Sequence, residues 1–293
     1  MQGERHRVIV GVDGSDHAKR ALAWAVAKTD IFGPVTPLLA YSMQPLGDGL
    51  GMPSMYYEID RIVKEDAEAR LTASIEGFPE LVERARVVCR SAGPALVGAS
   101  ADADLLVVGS RGRSALAETL FGSIGSYCVK HASVPVAVIT EEAAIEPTIG
   151  RAVVGIDGSP NSVEALIWAL RHVDPDGEVI AVGCWTDHTF GEPPLPNPEL
   201  EATTRALVDK TVDEALATVG TESVEAIRAR PAVVTDIRRG DPRIVLRDLA
   251  ATADLLVIGA RGHRGVSYLL LGSTTTSLLH HPLSPTIVVP LAE

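Results

Sequence analysis

The sequence predicts an α/β protein made of two tandem copies of one fold, each a five-stranded, mostly parallel sheet with helices on both faces. Three observations carry this expectation. The chain repeats itself, each copy alternates strand-like and helix-like segments, and 293 residues suit two domains better than one large one. Val8-Ile9-Val10-Gly11-Val12-Asp13-Gly14-Ser15 returns 144 positions later as Ala152-Val153-Val154-Gly155-Ile156-Asp157-Gly158-Ser159 (Gly11 against Gly155). Ala103-Asp104-Leu105-Leu106-Val107-Val108-Gly109-Ser110-Arg111-Gly112 returns as Ala253-Asp254-Leu255-Leu256-Val257-Ile258-Gly259-Ala260-Arg261-Gly262, now 150 apart, so the second copy holds six extra residues between the blocks. Glu141 to Gly150, with Pro147 and no apolar period, reads as the linker. The two domains are expected over 1–143 and 150–293.

Taken in order, Val8 to Val12 is a short β-branched apolar run, as in a strand buried on both faces. Ser15 or Asp16 then caps a helix with the stripe Ala18, Ala21, Leu22, Ala25 and Val26. Trp24, and Trp168 in the second copy, fall within or beside such stripes and read as packing residues. Pro37 to Ser42 reads as a second strand, Tyr56 to Gly77 as a helix, Val87 to Arg90 as a third strand and Pro94 to Ala101 as a short helix. Leu105 to Val108 and Val136 to Ile139 are strands, with a helix from Ser123 to His131 between them. Parallel strands joined by helices require right-handed crossovers, and ligands in such sheets sit beyond the carboxyl ends of the strands at the switch point.

After the fourth strand comes Gly109-Ser110-Arg111-Gly112, then nine residues, then Gly122-Ser123; the second copy has Gly259-Ala260-Arg261-Gly262, nine residues, then Gly272-Ser273. Glycines directly after a strand allow positive φ and a close approach of backbone to ligand. Gly122-Ser123 opens a helix, whose free N–H groups and dipole attract phosphate. Any one of these glycines could equally serve a tight turn. Three at matched spacing in both copies favour an anion cradle.

With these motifs the chain resembles the nucleotide-binding branch of the universal stress protein family, whose pattern is Gly, two residues, Gly, nine residues, then Gly and Ser or Thr. The resemblance covers residues 6 to 291. It implies a tandem member of an adenine nucleotide α-hydrolase-like, Rossmann-like fold that binds ATP, with Mg2+ assisting at the phosphates. The binding residues it implies in the first copy are Gly11, Asp13, Ser42, Gly109, Arg111, Gly112, Arg113, Ser114, Gly122, Ser123 and Ile124. In the second they are Gly155, Asp157, Cys184, Gly259, Arg261, Gly262, His263, Arg264, Gly265, Gly272, Ser273 and Thr274. Backbone near Ser42 and Cys184 would face adenine. The second copy departs from the pattern at Thr274, where the family has an apolar residue, and in the loop with His263 and Arg264. The last strand of each copy would be a flat apolar edge, which invites pairing. The resemblance implies that the copies pair through it and that tandem chains form a homodimer.

Other chemistries fail on particular residues. None of the five lysines (Lys19, Lys28, Lys64, Lys130, Lys210) precedes Ser or Thr in a Walker A loop. The first strand–helix turn is Gly11-Val12-Asp13-Gly14-Ser15 rather than a dinucleotide fingerprint, and no nucleophile elbow is present. Asp13 and Asp157 can hold a ribose hydroxyl or magnesium, or close their own turn on backbone N–H. Ser15 and Ser159 read as caps, and no metal site or catalytic set is expected. A net charge of −12 argues against nucleic-acid and acidic-membrane partners. The scarcity of cysteine (three) and of long apolar runs suggests the cytoplasm. Three functions remain: a nucleotide-binding regulator of stress or dormancy, ranked first; a slow ATP hydrolase; and an interaction scaffold with vestigial sites.

Overall fold

The computed structural model describes residues 7–42, 53–112, 121–186, 197–220, 230–262 and 271–290. The chain divides into two units, Met1–Ile145 and Glu146–Glu293.

The first unit runs β1 (Val8–Gly11), helix Asp16–Ala27, a single turn Thr29–Phe32, β2 (Val35–Tyr41), helix Pro53–Ser74, a 3-10 turn Pro79–Leu81, and β3 (Arg86–Cys89). Helix Ala92–Ser100, β4 (Leu105–Gly109), helix Ser123–His131 and β5 (Val136–Ile139) complete it. Its strands lie in the order β3-β2-β1-β4-β5, every pair parallel. The order reverses at β1, which places the switch point between β1 and β4. Val8, Val10, Leu106, Val107 and the whole of β5 are buried, which is why these strands are unbroken apolar runs rather than alternating ones.

β2 starts two residues earlier than the sequence suggests and contains Pro37. That proline pairs with Val10 on one side, while β3 joins β2 only from Leu38 onward. Its missing N–H therefore falls where β2 has a neighbour on one side alone. Helix Asp16–Ala27 starts where Ser15 Oγ accepts the Ala18 N–H at 3.2 Å. Trp24, not Val26, completes its buried face; the ring stacks on Phe32 at 5.6 Å and carries the buried Lys28 ammonium 4.9 Å from its centroid.

The second unit runs β6 (Arg151–Ile156), helix Pro160–His172, β7 (Glu178–Trp185), helix Pro198–Gly220, β8 (Ala232–Arg239), helix Pro242–Ala250, β9 (Leu255–Gly259), helix Ser273–His280 and β10 (Thr286–Val289). Its order is β10-β9-β6-β7-β8, again parallel. Tyr41 pairs with Cys89 in the first unit and Trp185 with Arg239 in the second, so the six extra residues fall between β7 and β8. The segment read as a linker is divided between the units. Ala143 is buried, its carbonyl accepting Arg20 Nε at 2.7 Å, and Ile149 is buried with its N–H on Asp174 Oδ1 at 3.4 Å.

In both units the first helix crosses the end of the strand beside it almost in backbone contact. A Cβ on Gly109 would lie 2.8 Å from the carbonyl carbon of His17, and one on Gly259 would lie 2.6 Å from Asn161 Cβ. Gly109→Ala is expected to destabilise the first unit by about 1–3 kcal/mol through overpacking. Gly98→Ala, at an exposed helical position where the new Cβ meets only Arg90 Nη1 at 3.8 Å, should instead stabilise it by about 0.5–1 kcal/mol. Urea unfolding of the two variants should move in opposite directions. A Gly109→Ala midpoint equal to wild type would refute the close approach.

Candidate functional site

Each unit has a cleft at the carboxyl ends of its strands, beside the switch point. β1 ends in the turn Asp13-Gly14-Ser15, where Gly14 takes φ 86°. Asp13 Oδ1 accepts the Ser15 N–H at 2.9 Å and the Ser15 hydroxyl at 2.6 Å, and that hydroxyl caps the helix. The second unit repeats the arrangement. Asp157 Oδ1 accepts Ser159 N at 3.0 Å and Ser159 Oγ at 2.5 Å, Gly158 takes φ 77°, and Ser159 Oγ accepts Ser162 N at 3.3 Å. One carboxylate oxygen of each Asp thus serves the turn. The other points at the strand-four loop: a Cβ on Gly112 would come within 3.0 Å of Asp13 Oδ2, and one on Gly262 would collide with Asp157 Oδ2.

Across the cleft, Gly122 and Gly272 stand at the N-caps of helices Ser123–His131 and Ser273–His280, and neither helix has a side-chain cap. The glycine N–H groups are engaged, Gly122 N with Ser110 O and Gly272 N with Ala260 O, each at 3.1 Å. The first-turn N–H groups of Ser123, Ile124 and Gly125, and of Ser273, Thr274 and Thr275, have no acceptor within their helices. The expectation of positive φ is corrected here. Gly122 lies at φ −68° and Gly272 at φ −59°, ordinary extended backbone, and among the described residues φ is positive only at Gly14, Gly33, Gly77, Gly158 and Gly240. Gly109 and Gly259 serve close packing, Gly112 and Gly262 leave room for a carboxylate, and Gly122 and Gly272 leave the helix end bare.

In the first unit Gly11, Asp13, Gly109, Arg111, Gly112, Gly122, Ser123 and Ile124 line the cleft together with Leu38, Ala40 and Leu96. In the second Gly155, Asp157, Cys184, Gly259, Arg261, Gly262, Gly272, Ser273 and Thr274 do so, with Val182, Thr203, Thr204, Leu207 and Leu246. Ser42 is exposed beyond β2 and is not among these lining residues. Register explains this. Gly11 pairs with Leu38 and Gly155 with Val182, so the counterpart of Cys184 is Ala40, two residues before Ser42. Arg113, Ser114, His263, Arg264 and Gly265 lie outside the described residues. Thr203, Thr204 and Leu207 were not expected, since nothing in their sequence separates them from an ordinary amphipathic helix.

A polar cluster behind the first cleft was also not anticipated. His17 Nδ1 lies 3.2 Å from Ser110 Oγ, and its Nε2 lies 3.5 Å from Glu141 Oε2. Ser110 is buried and outside the cleft lining, so the cluster ties the helix to the ends of β4 and β5 and offers no nucleophile to a ligand. Burial, and to a lesser degree the charges of Asp236 and Asp241, pushes the Cys184 thiol up to about 11; burial alone pushes Cys128 up to about 12. Among the described residues no group of three or more His, Cys, Asp or Glu could hold a metal ion, and no helix is long and apolar enough to cross a membrane.

Both units are open, parallel α/β sheets with a helix N-terminus beside the switch point. The sequence model of the universal stress protein family matches residues 4–140 and again 148–290, and the chain belongs to that family as a tandem member. A universal stress protein of Mycobacterium tuberculosis, Rv2005c, is 31% identical over 296 residues, 97% of each chain being covered. Among solved structures, a universal stress protein from Archaeoglobus fulgidus superposes with a TM-score of 0.63 at 18% identity over 97% of this chain and 96% of its own. A putative universal stress protein from Pseudomonas aeruginosa gives 0.56 at 14% identity over 98% and 94%. These two likenesses establish the fold.

The thiols supply a direct check of the site. Cys89 is exposed whereas Cys128 is buried and Cys184 half-buried, with raised values that leave both protonated at neutral pH. Iodoacetamide at pH 7.5 should label Cys89 first, and Cys184 labelling should climb as pH rises toward about 11. Cys184 reacting as fast as Cys89 at pH 7.5 would contradict the burial described.

Proposed function

We propose that this protein binds adenine nucleotide, ATP foremost, and works in the cytoplasm as a nucleotide-dependent regulator in stress or dormancy rather than as a catalyst. One observation carries the reading: in each unit an uncapped, glycine-led helix N-terminus faces a cleft whose opposite wall is the Asp-Gly-Ser turn and the Arg-Gly pair after strand four. Such a terminus offers converging N–H donors and the positive end of a dipole to a phosphate chain. Arg111 and Arg261 add a cation at each cleft, and the apolar side chains near Leu38 and Val182 suit a base. Magnesium would enter with the phosphates, Asp13 and Asp157 being the nearest acidic groups of the lining. Hydrolysis needs a group that positions or deprotonates water. Each Asp already spends one oxygen on its own turn, which favours holding the nucleotide over cleaving it.

Calorimetry with ATP, ADP and AMP, each at millimolar concentration with magnesium, tests the reading. Heat of binding is expected for wild type, and the double variant Gly122→Val/Gly272→Val should lose it, because both positions have backbone angles valine tolerates while the added methyls fill the bare helix ends. Absence of heat from folded wild type would reject nucleotide binding and favour the scaffold. Multiple-turnover phosphate release would favour the hydrolase.

A further inference from the structure

The two clefts share one plan and differ in capacity. The second encloses about 770 Å³ and the first about 190 Å³. Sites for small organic ligands run from roughly 300 to 1,000 Å³, so the second falls inside that range and the first below it.

The elements that wall the two clefts differ at matching positions. In the first unit the ring of Tyr127 lies against Gly93; a Cβ there would come within 2.6 Å of Tyr127 Cδ1 and 2.8 Å of Cγ. Helix Ser123–His131 thereby presses an aromatic side chain onto the backbone of helix Ala92–Ser100, and these two helices contribute Ala92 and Ile124 to the cleft wall. The Phe121 ring packs in the same way on Gly125, where a Cβ would meet Cε2 at 2.9 Å. In the second unit Arg243 and Ser277 stand in place of Gly93 and Tyr127, so helix Pro242–Ala250 cannot be approached as closely. The Arg243 guanidinium turns back to its own N-cap, Nε lying 2.9 Å from Asp241 Oδ1. Leu271 and Thr275 replace Phe121 and Gly125, and the Thr275 hydroxyl donates to Gly259 O at 2.9 Å, fixing the helix end to β9. Helix Pro198–Gly220 adds Thr203, Thr204 and Leu207 to the wall, whereas helix Pro53–Ser74 contributes no described residue to the first cleft.

Given the nucleotide-binding reading above, on which this rests, we infer that the chain binds one nucleotide, in the cleft of the second unit, the first cleft being too small to admit it where the Tyr127–Gly93 contact holds its two walling helices close. The copy that departs more from the family pattern is thus the one that holds the ligand.

Titration of the full chain with ATP and magnesium, followed by calorimetry, should give a stoichiometry of one. Gly272→Val alone should then weaken binding by more than about tenfold, a loss of at least about 1.4 kcal/mol. A second readout needs no variant: ATP should slow alkylation of Cys184, which lines the second cleft, at pH 9. A stoichiometry of two, full binding retained in Gly272→Val, or ATP bound with Cys184 unprotected would each overturn the inference while leaving nucleotide binding intact. Wild type that binds no ATP would overturn the functional reading itself.

Discussion

The constraint on which both clefts depend is the near-contact between a helix backbone and the end of a strand. Because residues 109 and 259 carry no side chain, the first helix of each unit can lie across β4 or β9 with a separation that any Cβ would fill. That approach fixes the helix start, and the helix start fixes the turn before it. The Asp carboxylate then has one oxygen committed to the Ser N–H and hydroxyl while the other faces the next glycine loop. A capping interaction of this kind contributes about 1 kcal/mol. Its larger effect is positional: the acidic turn, the arginine loop and the bare helix end converge on one space at the switch point.

Duplication supplies a comparison within one chain, because matched positions have diverged in known ways. His17 and Ser110 form a hydrogen-bonded pair in the first unit, and Asn161 and Ala260 stand in their places in the second. Alanine's side chain offers no acceptor, and Asn161 Nδ2 is buried without a hydrogen-bond partner among the described residues. An orphaned buried donor costs about 1–3 kcal/mol. The second unit has offsetting features close by. Thr275 bonds to Gly259 O, Ser162 Oγ donates to Ser159 O at 2.8 Å, and β7 pairs with β8 over eight residues where β2 meets β3 over four. The polar tie to the end of strand four thus comes from the start of the first helix in one unit and from the first turn of the last helix in the other.

Much of this was legible in the sequence because burial on both faces leaves an unmistakable run. β5 matches its expected limits, β1 and β4 differ by one residue, and Ser15, one of the two expected caps, starts helix Asp16–Ala27. The errors have physical causes. A proline suggests the start of a strand, and only the pairing register shows that Pro37 sits where one neighbour is absent. The helix expected from Tyr56 to Gly77 ends at Ser74, and Gly77, at φ 94°, belongs to the turn that follows. A glycine in a motif is ambiguous between conformational freedom and space. Gly109 and Gly112 turned out to need space, whereas a Cβ on Gly122 would make only ordinary contacts; the left-handed positions are Gly14 and its counterpart Gly158. Contacts such as His17–Ser110 and Tyr127–Gly93 join residues distant in sequence, and nothing local marks them.

The net charge of −12 and the proposed binding of an anion in a cleft are compatible because the two act over different distances. At physiological salt the field of the whole molecule is screened beyond about 8 Å, whereas the helix N-terminus, equivalent to roughly half a positive charge, acts within its first turn. A polyphosphate backbone laid along the surface would meet many carboxylates outside that short range. A single phosphate chain seated at Gly122 or Gly272 would meet N–H groups and one arginine instead. A surface of this charge would therefore discriminate by ligand size: it would disfavour extended polyanions and leave a compact anion subject mainly to local geometry, where the width of the cleft would decide what fits.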